Sequence, residues 1–209
     1  MALFDINNIA FEIIDYQISY VELIGTLFGL ISVYLATKTN ILTWATGIIN
    51  ELFLFILFFQ VQLYADMFLQ VFFFVVTLYG WYNWKQIPKE NSITKTELKT
   101  KIWLLSAIVV GTTVVGFLIS NIHMYFPLYF KTEASYPYAD SFVMVLSIVA
   151  TFLLAQKKIE AWYLWIAVDI VCVFLFYKKG IAFLALEYFV FLGLATYGFL
   201  NWKKQLNNG

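Results

Sequence analysis

Residues 20–59 read YVELIGTLFGLISVYLATKTNILTWATGIINELFLFILFF, and residues 138–177 read YADSFVMVLSIVATFLLAQKKIEAWYLWIAVDIVCVFLFY. Adding 118 to a position in the first stretch gives its counterpart in the second. The register holds without a gap over 20–86 and 138–204. Tyr20 meets Tyr138, Leu35 meets Leu153, Ile41 meets Ile159 and Trp44 meets Trp162. Further on, Leu57-Phe58 meets Leu175-Phe176, and Phe73 meets Phe191. Tyr79-Gly80 meets Tyr197-Gly198, and Asn83-Trp84-Lys85 meets Asn201-Trp202-Lys203. Each copy holds three long apolar segments, so the repeated unit is a three-helix unit.

Composition says which solvent those segments meet. The chain is 62% hydrophobic, 21% aromatic and 12% charged, with mean hydropathy +0.80. A soluble domain of 209 residues could not hide that much apolar surface, so the bilayer is its solvent. A duplicated three-helix membrane unit is the sequence sign of an alternating-access transporter with its substrate between the copies. Net charge is zero, which removes the electrostatic case for nucleic acid. Arg is absent, which weakens bidentate phosphate recognition. The single cysteine, Cys172, lies in an apolar segment and excludes an intrachain disulfide. The N-terminus carries Asp5, Glu12 and Asp15 without a basic run, unlike a cleavable signal peptide. No metal-ligand cluster, Gly-rich phosphate loop or nucleophile–base pair is present. The sequence therefore implies no metal, no cofactor and no enzymatic reaction.

The expected fold is all-α and integral to the membrane, with seven transmembrane helices. They cover 20–37, 42–59, 63–84, 101–120, 139–156, 162–178 and 182–202. Residues 1–19 read as an interfacial amphipathic helix. The first repeat is 20–86, the linker with its own span is 87–137, the second repeat is 138–204, and 205–209 is a tail. Three-helix units joined directly would enter the membrane from opposite sides. The linker span 101–120 restores one orientation, so the repeats are parallel, in a 3+1+3 order. Lys38, Lys85, Lys89, Lys95, Lys99, Lys101, Lys157, Lys158, Lys203 and Lys204 fall on one side, against Lys131, Lys178 and Lys179 on the other. The Lys-rich side is cytoplasmic, which puts the N-terminus outside and the C-terminus inside. Trp84 and Trp202, each followed by Lys, read as matched interfacial anchors.

Acids within spans need a reason, since an Asp at a helix centre costs about 2.5–3.5 kcal/mol on the insertion scale. Glu51 and Asp169 lie at the centres of the second and sixth spans and are repeat mates. Glu22 and Asp140 are a second pair near the outer ends, and Asp66 and Glu187 occupy the outer halves of the third and seventh spans. With no base at any span centre, these acids describe a cavity for a cation. Trp162, Trp165 and Asp169, three and four apart, share one helix face. Two indoles and a carboxylate on one stripe suit a flat cationic aromatic. The first repeat offers Trp44, Gly47, Asn50 and Glu51 at the matching place. Gln60, Gln62 and Gln70, with Tyr64 and Tyr188, add hydrogen-bonding groups.

Each of these residues also has a structural reading. A Trp near a helix end anchors at the interface, and Trp165 is one turn too deep for that. A carboxyl within a span can be protonated and hydrogen-bonded inside the bundle. Glu22, Asp66 and Asp140 sit where interfacial placement competes with ligand contact, and His123 reads as a solvated loop residue.

Three stretches resemble the Pnu-type (PnuC) family of bacterial vitamin transporters. They are VELIGTLFGLISVYLA (21–36), FFQVQLYADMFLQVFFFVVTLYGWYNW (58–84), and DSFVMVLSIVA with WYLWIAVD (140–150 and 162–169). The last is similar to the family's W-x-x-W-x-x-x-N/D signature, here Trp162, Trp165 and Asp169. The resemblance implies a SWEET-like 3+1+3 fold in the bacterial inner membrane, assembled as a homotrimer. It also implies facilitated diffusion of a vitamin that a cytoplasmic kinase then traps. The nicotinamide riboside branch ends this signature in an amide, whereas this chain has Asp169, and Glu51 and Asp66 add further charge. That departure leans the expectation toward thiamine, with nicotinamide riboside as the alternative and proton-coupled vitamin import as a rival mechanism. The binding set is Trp162, Trp165, Asp169, Glu51, Asn50, Trp44, Gln70, Tyr64, Asp66, Tyr188 and Glu187.

Overall fold

The computed structural model describes residues 4–13, 16–61, 64–87, 93–128, 133–180 and 182–208. Among the described residues, a two-stranded antiparallel ribbon, β1 (Ile9–Ile13) and β2 (Tyr16–Ser19), precedes eight helices. These are α1 (Tyr20–Thr37), α2 (Leu42–Gln60), α3 (Tyr64–Gln86), α4 (Leu98–Ser120), α5 (Ile122–Tyr125), α6 (Pro137–Ala155), α7 (Glu160–Lys178) and α8 (Ala182–Asn208). Six of them, α1, α2, α4, α6, α7 and α8, are long and apolar enough to cross a membrane. The sequence expectation was seven. The remaining expected span, 63–84, coincides with α3, a helix of 23 residues.

The ribbon corrects the expectation of an amphipathic helix over residues 1–19. Ile9, Phe11 and Ile13 alternate with Ala10 and Glu12, and that period of two belongs to a strand. Ser19 then caps α1, its hydroxyl accepting from the Glu22 amide at 3.2 Å. Pro137 opens α6 at its first turn, where the missing N–H costs nothing. The loop over 121–137 contains the single turn α5.

The long helices close into a ring. α1 packs on α2, α2 on α3, α3 on α6, α6 on α7, α7 on α8, and α8 returns to α1. Adding 118 carries α1, α2 and α3 onto α6, α7 and α8, and the order of contacts is unchanged by that step. α4 packs chiefly on α6 and leaves Trp103, Leu105, Val110 and Phe117 exposed to lipid. Ahead of α4, the linker joins the α6–α7 turn. Thr94 N–H donates to Lys157 O, and Ile159 N–H to Thr94 O, both at 3.1 Å. Glu160 accepts from Thr96 N and Oγ1 at 3.0 Å and pairs with Lys101 at 2.7 Å. The two interhelical turns are also alike, with Thr39 and its mate Lys157 at φ of 52° and 53°.

The main core lies at the Lys-rich end. Trp44 meets Trp84 edge to face at 5.3 Å and 89°, and Trp162 meets Trp202 in the same way at 5.5 Å and 85°. The two pairs touch through Trp84 and Trp202, 6.1 Å apart, from opposite sides of the ring. Trp84 Nε1 donates to Leu154 O (3.1 Å) and Asn83 Nδ2 to Ala155 O (2.8 Å). In the other half, Trp202 Nε1 donates to Ala36 O (3.0 Å) and Asn201 Nδ2 to Thr37 O (2.6 Å). These acceptors are carbonyls of the last turns of α6 and α1; Leu154 O and Ala36 O also accept from the turn amides of Lys157 and Thr39. Trp84 and Trp202, 4% and 0% exposed, are therefore buried clasps rather than interfacial anchors. Lys157 lies 5.0 Å over the Trp84 ring, and burial pushes its ammonium below the usual lysine range.

Candidate functional site

Glu51 is seven residues from Trp44, and Asp169 seven from Trp162, so each acid lies about 10.5 Å along its helix from the tryptophan layer. Both are buried, at 7% and 3% exposure. Glu51 Oε1 accepts a 2.5 Å hydrogen bond from Thr77 on α3. Its Oε2 is buried with no partner among the described residues. Glu51 and Gln70, together with Leu52, Phe55, Val71 and Phe74, line a half-open groove of about 180 Å³ between α2 and α3.

The second repeat has the same frame with different groups. Gln70 is matched by Tyr188, and Thr77 by Ala195. Asp169 has no hydrogen-bond or ion-pair partner among the described residues, because the hydroxyl that serves Glu51 is missing from Ala195. The Tyr188 ring stacks on Phe176 at 5.3 Å, its hydroxyl faces the Cys172 thiol, and Asp169 is within its electrostatic reach. Trp165 is partly buried and packs against both hydrophobic clusters, linking the tryptophan layer to Val168 and Cys172 beside Asp169. Glu51 with Gln70, and Asp169 with Trp165 and Tyr188, are thus two clusters at one depth, candidate halves of one site.

Other expected site residues have different surroundings. Trp44 and Trp162 are 3% and 1% exposed, packed over Gly80 and Gly198, so in this conformation their faces meet protein. Their Nε1 atoms have no hydrogen-bond partner among the described residues. Asn50 donates its amide to Gly25 O at 2.8 Å and ties α2 to α1. Gln60 is held by the N-terminal segment, donating to Phe4 O at 2.6 Å and accepting from Ile6 N at 3.2 Å. Glu187 reaches Thr26 and Glu22 on α1, far along the helix from the tryptophan layer. Glu22 accepts from the Tyr16 hydroxyl at 2.6 Å. Asp140 pairs with Lys179 at 2.8 and 3.0 Å, a base at a helix end rather than at a span centre. Lys179 follows the end of α7 and reaches back to the start of α6. The side chains of Tyr64 and Asp66, and all of Gln62, lie outside the described residues.

Residue-by-residue reading missed Thr77, Gly80, Gly198, Asn83 and Asn201. The signal was in the repeat. Gly80 and Asn83 match across the copies, whereas Thr77 is a mismatch beside a matched acid.

A family model described as nicotinamide mononucleotide transporter matches residues 19–204. The chain belongs to that family. It is 32% identical to the nicotinamide riboside transporter PnuC of Escherichia coli, over 97% of this chain and 94% of that protein. It is 28% identical to the riboflavin/roseoflavin transporter RibM of Streptomyces davaonensis, over 94% and 91% of the two chains. In fold it is similar to the crystal structure of the vitamin B3 transporter PnuC, with TM-score 0.68, 23% identity, and coverage of 90% of this chain and 83% of that one. These relatives are transporters rather than enzymes, and the chain is a multi-pass membrane protein of their family.

Proposed function

We propose that the protein carries a cationic aromatic vitamin, nicotinamide riboside, across a bacterial inner membrane by facilitated diffusion. The observation that carries this reading is the pair of buried mid-helix acids with unmet partners. Glu51 has one free carboxylate oxygen, and Asp169 has no partner among the described residues. A buried carboxylate is stable only when paired or hydrogen-bonded, and a ligand with a cationic ring and hydroxyl groups supplies both. Trp165 flanks Asp169 and offers an aromatic face. The 32% identical relative supports nicotinamide riboside over thiamine, which the acids alone had favoured.

In this reading α3 is the seventh span and the order is 3+1+3. Units 20–86 and 138–204 are parallel and rock about the vitamin, and 87–137 is the linker. The N-terminus is outside and the C-terminus cytoplasmic, and the chain assembles as a homotrimer. The tryptophan clasp closes the cytoplasmic end, and its opening releases substrate inward. Trp44 and Trp162 then become available to the ligand only as the clasp opens.

Calorimetric titration of purified protein with nicotinamide riboside, thiamine and riboflavin tests the substrate. Tight binding of nicotinamide riboside is expected, weakened roughly ten- to a hundredfold by Asp169→Asn, the range for losing a hydrogen bond to a charged group. Thiamine alone would move the assignment to thiamine. Binding of neutral riboflavin alone would sink the charge argument. Uptake into proteoliposomes should be the same with and without an imposed pH gradient; dependence on it would replace facilitated diffusion with proton coupling.

A further inference from the structure

The two halves of the acid layer are built from equivalent positions and equipped differently. In the first repeat the set is Glu51, Gln70 and Thr77. In the second it is Asp169, Tyr188 and Ala195. Thr77 is 3% exposed, and its hydroxyl is 2.5 Å from Glu51 Oε1. That bond uses one carboxylate oxygen and fixes the plane of the group. Oε2 remains buried and without a partner among the described residues, and Glu51 and Gln70 both border the groove between α2 and α3. At the matching place Ala195 is 2% exposed and has no donor to give Asp169.

We propose that Thr77 is a positioning residue that makes the first repeat the hydrogen-bonding half of the site, while Asp169 opposite Ala195 takes the cationic ring. The inference rests on the functional reading above and sets the direction in which the ligand lies. A carboxylate already holding one hydrogen bond, with a carboxamide beside it, is equipped for a hydroxyl-bearing group such as a ribose. A buried carboxylate without any donor is matched by the full charge of a ring cation. Thr77 does not touch the ligand. It acts by holding Glu51 in the rotamer that presents Oε2.

The test uses two probes on the full-length protein: nicotinamide riboside, and nicotinamide methylated on its ring nitrogen, which keeps the cation and loses the ribose. Thr77→Val keeps the shape and removes the hydroxyl. It should weaken nicotinamide riboside roughly three- to tenfold, the range of a net hydrogen bond, and leave the methylated probe unchanged. Thr77→Ser should restore wild-type affinity. Asp169→Asn should weaken both probes. Equal affinity of Thr77→Val and wild type for nicotinamide riboside overturns the inference alone. So does an equal loss for both probes, since that is what a general loosening of the α2–α3 contact would give. Failure of the methylated probe to bind wild type overturns a separate subsite for the cation. Wild type that binds neither probe overturns the functional reading and this inference with it.

Discussion

A Cβ at Gly80 would lie 2.4 Å from the Trp44 ring, and one at Gly198 would lie 2.6 Å from the Trp162 ring. Neither indole can retreat, because each is held edge to face by Trp84 or Trp202. Gly80→Ala and Gly198→Ala should each cost about 1–3 kcal/mol through overpacking. In thermal unfolding that is a fall of roughly 2–4 °C per kcal/mol for a chain of this size. Gly193 has open space where its Cβ would be, so Gly193→Ala should be neutral or slightly stabilising. An equal loss at all three would place the cost in helix backbone rather than in the tryptophan contact. At this scale the sequence was only partly legible. The mid-span position of Glu51 and Asp169 marked them, since a charge there always needs a partner. The role of Trp44 did not show, because an indole stripe suits stacking on a ligand or on a glycine equally well, and only the neighbouring helix decides.

The element that closes the ring at the Lys-rich end is a pair of helix ends, α3 and α8, each reaching into the other half. Four hydrogen bonds from Asn83, Trp84, Asn201 and Trp202 satisfy the terminal carbonyls of α6 and α1. Each net bond is worth about 1 kcal/mol, so removing two should open the end measurably without unfolding the bundle. Val76, 7% exposed within the tryptophan cluster, supplies the reporter position. In a Cys172→Ser background, Val76→Cys should be protected from a membrane-impermeant thiol reagent in inside-out vesicles. Adding Asn83→Ala and Asn201→Ala should expose it. Unchanged protection would show that the aromatic contacts alone hold the end closed. Helix boundaries were legible to within a few residues from hydrophobic length. The β1–β2 ribbon was not, because five residues of period-two pattern are too few to stand out beside a long apolar chain.

For the whole molecule, the uneven distribution of lysines predicts an outer N-terminus and a cytoplasmic C-terminus. In the Cys172→Ser background, Asn7→Cys should react with an impermeant maleimide in intact cells, and Asn208→Cys only after permeabilisation. The reverse pattern would invert the topology and put the tryptophan clasp on the outer side. Ring closure carries a further consequence. α2 and α7, which hold the two acids, are opposite members of the ring, so under the proposed function a ligand held between them would bridge the two acids.

Apolar segment lengths, the 118-residue register and the placement of charge were enough to determine a duplicated helical membrane protein, its span positions and its buried acids. These are one-dimensional properties, set by the cost of placing polar groups in hydrocarbon. Which side chains meet was decided only in three dimensions. Trp84 and Trp202 turn from the interface to the centre because their indoles pack against each other and donate to helix-end carbonyls of the opposite repeat. Asp140 finds Lys179 because a helix end folds back to it. Glu51 and Asp169 differ because a hydroxyl on α3 has no counterpart on α8, and that contrast exists only once α2 lies on α3 and α7 on α8.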